Sequence, residues 1–139
     1  LSILSGACNS DVPEPAVMES PRLGLRVTVT RVATHPFLAR YNLKVRMERR
    51  DGCVAASELF PDTGQAARRN LYLTQSGAVL VVGQFDARVL RKDGCVIHLV
   101  EFHQLEQGRT FLGTFDLDEG KRWRFLPPDL RPERPFDTS

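Results

Sequence analysis

From Leu25 onward apolar side chains recur at every second position. Leu25, Val27 and Val29 alternate with Arg26, Thr28 and Thr30, the period of a strand with one face buried. Tyr41, Leu43, Val45 and Met47 alternate with Asn42, Lys44, Arg46 and Glu48, which predicts a second strand with a strongly charged outer face. Asp51-Gly52 then breaks the run, and this dipeptide suits the positive dihedrals of a hairpin turn, so Cys53 to Phe60 is expected to return beside it. Pro61 to Asn70 is polar, with a turn at Asp62-Thr63-Gly64 and one helical turn expected through Gln65 to Arg69. Leu71 to Gln75 and the turn Ser76-Gly77 lead into Ala78-Val79-Leu80-Val81-Val82, an unbroken apolar stretch that predicts a central strand covered on both faces. Phe85 to Leu90, the turn Asp93-Gly94 and Cys95 to His103 read as a hairpin, and Arg109 to Leu117 with Lys121 to Leu126 as another, hinged at Asp118-Glu119-Gly120. Across this last pair, Phe111, Gly113 and Phe115 on one strand are expected to meet Trp123 and Phe125 on the other.

About eight or nine short strands at regular spacing imply an all-β fold: an antiparallel β-sandwich, or failing that a small barrel, built of hairpins. The β domain is expected over residues 24–126. Before it, residues 1–23 read as a signal remnant or tether, since Asn9 to Arg22 hold Pro13, Pro15 and Pro21 without apolar periodicity. After it, residues 127–139 form a Pro-rich extended tail that cannot join a sheet interior, because proline lacks the amide donor. That tail is expected to lie along the surface or to have no fixed structure.

A chain of 139 residues with 42% hydrophobic side chains suits one domain with one core. Its net charge of +2 is too small to mark the whole surface as a nucleic-acid binder. Lysine occurs only at Lys44, Lys92 and Lys121, so the basic character is arginine's, whose planar fork suits carboxylates. Strand alternation turns Lys44, Arg46, Arg122 and Arg124 outward, and these together with Arg88 are the candidate contacts for a protein partner with an acidic surface. The same alternation sends Trp123 and Phe125 inward, whereas binding single-stranded nucleic acid calls for exposed rings, so no nucleic-acid partner is expected.

Candidate chemistry is sparse. His35, His98 and His103 stand in no recognisable order with a nucleophile and a carboxylate. His98 lies in the apolar run Val96 to Val100 and is expected to be an interior or interface residue, while Glu101 and His103 share a strand face. A metal-assisted hydrolase built on His98, Glu101 and His103 is the enzymatic alternative. Ser76 lacks the glycine-flanked elbow of a serine nucleophile, and Asp116, Asp118 and Glu119 miss the spacing of a calcium loop. Without a phosphate-cradling glycine loop either, no catalytic residue, metal set or cofactor is assigned.

Arg46 to Val54 aligns with Arg88 to Val96 at six of nine positions, with a constant offset of 42 residues. Each segment places a cysteine directly after an Asp-Gly turn, through either an internal duplication or the shared chemistry of two hairpins. The chain opens Leu1-Ser2-Ile3-Leu4-Ser5-Gly6-Ala7-Cys8, an apolar segment, two small residues and a cysteine. Over these eight residues it resembles the lipobox of bacterial lipoproteins. Gly6 and Ala7 fit that pattern, Ser5 does not, and Leu4 stands one position early. The resemblance implies lipidation of Cys8, export to the periplasm and anchoring to a membrane, including the outer membrane. It also leaves Cys53 and Cys95 as an even pair, expected as a disulfide, with buried free thiols as the alternative. The resulting functional expectation is a non-catalytic envelope binding module, an accessory lipoprotein contacting another periplasmic or outer-membrane protein. The alternative is an immunity or inhibitor protein that blocks a toxin or hydrolase.

Overall fold

The computed structural model describes residues 12–63 and 67–136. Cys8 therefore lies outside the described residues, as do Gln65 and Ala66 of the helical turn expected at Gln65 to Arg69; the rest of that expectation is corrected, since Ala67 and Arg68 are not helical and Arg69 opens a strand. Ten strands make up the domain: β1 (Pro13–Ser20), β2 (Leu25–Ala33), β3 (Tyr41–Arg49), β4 (Val54–Asp62), β5 (Arg69–Thr74), β6 (Val79–Val82), β7 (Ala87–Leu90), β8 (Ile97–Val100), β9 (Arg109–Leu117) and β10 (Trp123–Leu126). They form two antiparallel sheets, a four-stranded meander β1-β2-β3-β4 and a six-stranded sheet β10-β9-β5-β6-β7-β8. In the second, β5 to β8 run as a meander and β9 returns to lie beside β5, a Greek-key-type return.

The sheets face each other as a sandwich, and the alternation read from the chain places the core. Val27, Val29, Leu43, Val45 and Met47 from the small sheet meet Leu71, Val79, Val81, Leu90 and Phe115 from the large one. The Trp123 indole is buried among them and donates to the Val29 carbonyl at 2.9 Å, joining the two sheets. Edge strand β1 also contacts edge strand β10, and β4 contacts β8. Such approach at both margins is why the strand pattern fits a barrel nearly as well as a sandwich.

One expectation is corrected at the N-terminal end: Pro13–Ser20 is strand β1 rather than tether, paired along its length with β2. Ala16 and Met18 point into the core. Pro13 and Pro15 share a parity, so both missing N–H groups fall on the side where an edge strand has no neighbour. A two-residue inward repeat diluted by two acidic and two proline residues is too weak to read as a period.

The repeated hairpins lie side by side. Cys53 and Cys95 form a disulfide with their α-carbons 5.7 Å apart. The Arg49 guanidinium donates to the Arg91 carbonyl at 2.9 Å, linking another pair of positions 42 residues apart. The turns themselves differ. Gly52 takes a left-handed φ of 95° and closes a tight turn, whereas Gly94 sits in a longer loop and does not adopt a positive φ. In the β9–β10 turn the left-handed position falls to Lys121, not Gly120.

Gly113 is the glycine the fold most depends on. It has φ 140° opposite a register shift in β5, and a β-carbon there would clash with the Phe125 ring and stand 2.7 Å from the Leu126 carbonyl oxygen. Gly113→Ala is expected to destabilise the domain by about 1–3 kcal/mol. Gly94→Ala, where a β-carbon meets nothing within 4 Å, is the control. Urea denaturation of both variants checks this, and equal midpoints would refute it.

Candidate functional site

The outer faces of the two sheets have opposite fates. On the large sheet, Tyr72, Ala78, Leu80, Val82, Ala87 and Val89 form a second apolar cluster on the side away from the core. The β8–β9 connection, with a 3-10 turn at Phe102–Gln104, crosses this face and packs Phe102 and Leu105 onto it. The C-terminal segment then covers the rest. Phe136 packs on the cluster beneath the Arg68 guanidinium, 3.9 Å from its ring centre. The Tyr72 hydroxyl donates to Glu133 at 2.7 Å, the Asn70 amide donates to the Arg134 carbonyl at 3.2 Å, and Arg131 pairs with Asp116 at 2.9 Å. Burial, reinforced by the bond to Glu133, pushes the Tyr72 phenol up to about 12, so it stays a donor. Of the two outcomes expected for the tail, it lies along the surface, fixed through at least Phe136.

Nothing among the described residues covers the outer face of the small sheet in this way. Its side chains fall into cross-strand rows set by the register: Pro15, Thr30, Lys44 and Glu58 in one, Val17, Thr28, Arg46 and Ala56 in the next, Glu19, Arg26, Glu48 and Val54 beyond. Short side chains at Thr28, Thr30 and Val32 leave a shallow groove of about 390 Å³ between Pro13 on one edge and Lys44, Arg46 and Glu58 on the other. Arg46 lies 3.6 Å from Glu48 and keeps more than half its side chain exposed. An exposed pair of this kind contributes little to stability, so both cations remain available to an anionic partner.

The five cations expected to form a contact surface do not share one. Lys44 and Arg46 are exposed at the centre of the small sheet's face. Arg122 and Arg124 are also exposed but belong to the other sheet, where Asp118 takes them at 3.9 Å and 3.0 Å. The Arg122 backbone N–H and neighbouring groups hold Asp118 below the usual carboxylate range. Arg88 corrects the expectation outright: it points between the sheets and is only 8% exposed. Its guanidinium donates to the Glu58 carbonyl at 3.0 Å and lies 3.5 Å from Asp86. Alternation gives the face of a side chain but cannot say which face another sheet will cover.

Sequence reading also missed the charged cluster to which Arg88 belongs. Asp86, 3% exposed, lies 3.3 Å from Arg69, 2% exposed, and accepts from the Phe60 N–H at 3.0 Å. Arg69 further donates to the Phe60 and Ala67 carbonyls. Burial pulls this guanidinium below arginine's usual value, while Asp86 and Asp62 act in the opposite sense. Gly83 makes the arrangement possible, since a β-carbon there would stand 2.6 Å from Arg69 Nε. The cluster joins β4 to β5, β7 and the β6–β7 turn, and it is inaccessible to a partner.

The histidines are not brought together with a nucleophile. His98 is exposed on β8 rather than interior, and His103 lies 3.9 Å from Glu101 with both side chains about three-quarters exposed. No three histidine, cysteine, aspartate or glutamate side chains converge among the described residues. Ser76 donates to Glu106 at 2.6 Å beside Thr74, a bond that holds the glutamate below its usual range and ties the β5–β6 turn to the crossing connection. Comparison of the chain with protein-family models, curated proteins and solved structures found no match.

Proposed function

We propose that this protein is a non-catalytic binding module of an oxidising compartment, and that its recognition surface is the bare outer face of the four-stranded sheet. The observation that carries the reading is the contrast between the two faces. The chain uses its own connection and tail to cover the large sheet's outer side, yet none of the described residues covers the small sheet's regular polar rows and groove. Lys44 and Arg46 stand at the centre of that face, so the partner is a protein with an acidic surface. The Cys53–Cys95 disulfide is compatible with the setting. Lipidation of Cys8 and residence in the periplasm of a bacterial envelope complete the proposal.

Photo-crosslinking in the native membrane fraction tests it. A crosslinking residue placed at Arg46 is expected to yield one discrete protein adduct that is lost when Lys44→Glu is added. The same residue at Arg134, on the opposite side, is expected to yield none. Absence of an adduct from Arg46, or equal adducts from both positions, would remove the support for this face.

A further inference from the structure

Each sheet has two margins, and the chain treats them unequally. An edge strand presents unpaired backbone groups, and proteins blunt such edges with proline, charge or cover. Here β1 carries Pro13 and Pro15, β4 carries Pro61, and β10 runs directly into Pro127-Pro128 while contacting β1. Strand β8, Ile97-His98-Leu99-Val100, has neither proline nor a formally charged residue; among the described strands it pairs with β7 alone, and β4 touches it less extensively than β1 touches β10.

Leu99 makes this edge unusual. Side chains two residues apart share a face of a strand, so Leu99 is on the same side as Ile97, which packs in the core and is 8% exposed. Leu99 is nevertheless 62% exposed. The opposite sheet reaches this margin through the disulfide just before β8 and through Arg88 of β7, the cross-strand partner of Leu99, which donates to the Glu58 carbonyl; Leu99 itself stays uncovered. Val54 and Val96, each more than half exposed, flank the disulfide on β4 and just before β8. An apolar side chain aimed at the core side of a free edge is the place for a further strand.

We infer that β8 is a dimerisation edge at which a second copy of this chain adds its own β8 in antiparallel register. The occupant must be an extended, proline-free strand with an apolar residue on the Leu99 side, and among the described margins only β8 meets that description. A two-fold axis perpendicular to the sheet pairs residues of like face, so it passes midway between the two copies of one residue, which then face each other across it. Centred on Leu99, it sets the two Leu99 side chains against each other and places His98 opposite Val100 of the second copy. The pairing is isologous and uses each β8 once, so it closes as a dimer, and the prolines on the remaining margins oppose growth into a filament. Four residues with one exposed apolar side chain on the core side fall short of a standard interface of about 1,600 Å², so the association is reversible and concentration-dependent. This inference is independent of the sheet-face reading.

Sedimentation of the full-length, disulfide-intact chain tests it. A monomer–dimer equilibrium is expected, and Leu99→Arg should raise its dissociation constant about tenfold or more by placing a charge on the axis. Because Leu99 is exposed, the Tm of the diluted variant should match that of the wild type. In a Cys8→Ser background, Leu99→Cys should form a disulfide-linked dimer on oxidation, while Val17→Cys on the far edge should not. The inference is overturned by a chain that stays monomeric even at millimolar concentration, including one whose β8 amides become protected only when a foreign protein is added. A dimer indifferent to Leu99→Arg, or equal crosslinking from Val17→Cys, overturns it as well.

Discussion

Asp86→Ala is expected to remove about 3–5 kcal/mol of folding stability, as large a loss as truncating a buried core side chain. Asp86 is the carboxylate between two guanidiniums, Arg69 at 3.3 Å and Arg88 at 3.5 Å, and all three side chains are shielded from water. Taking a charge out of water costs several kcal/mol, and the opposite charge beside it offsets that cost. Without Asp86 the cost of burying the cations remains, and the Phe60 N–H also loses its acceptor. Arg69 keeps the influence of Asp62, but among the described residues no second carboxylate forms an ion pair with Arg88. Asp86→Asn separates the contributions, since it retains an acceptor for Phe60 and removes the charge. A neutral hydrogen bond contributes only about 0.5–1.5 kcal/mol, so Asn should recover the smaller part of the loss. Guanidinium denaturation measures both variants, and a loss below about 1 kcal/mol for Asp86→Ala would mean that the cluster adds little to stability.

Replacing both Cys53 and Cys95 by serine should lower stability by about 4 kcal/mol, the chain-entropy value for closing a loop of this length. The bond spans 42 residues and joins the two sheets at the margin where β4 and β8 meet. That margin has few other ties: the Arg49 bond to the Arg91 carbonyl, the Arg88 bonds to the Glu58 carbonyl, and the Cys95 sulfur near the Val54 carbonyl. The effect therefore acts on the unfolded chain, which gains freedom, and on the native margin, which loses its staple. Calorimetry of the double variant against the wild type, with and without reductant, provides the measurement. A wild-type Tm that reductant leaves unchanged, with reduction confirmed by mass, would show that the bond does not constrain folding.

Much of the fold was legible because its signals are local. Alternation of Leu43, Val45 and Met47 with Asn42, Lys44 and Arg46 gave β3 its two faces, and all three apolar residues are buried. The unbroken run Val79 to Val82 became β6, buried on both sides by the core and by the chain's own connection. Turn chemistry located most of the hairpins. Strand β1 was not legible, because two prolines and the acidic residues around Ala16 and Met18 concealed a short inward period.

Of the candidate site, Lys44 and Arg46 could be read and their setting could not. The sequence by itself determined which residues share a strand face, where the chain turns, and that Cys53 and Cys95 occupy equivalent places in two similar hairpins. These properties depend on neighbours a few positions away, so period and turn residues encode them. Only the tertiary structure decided which face is covered and by what. It buried Arg88 and left Arg46 in water, although the two align in the repeated segment. It covered one sheet with a tail that has no strand of its own, and it left Leu99 exposed on the side where Ile97 is buried. The physical reason is that burial is a relation between elements distant in sequence, set by how far one sheet extends over the other, and no local pattern records that overlap.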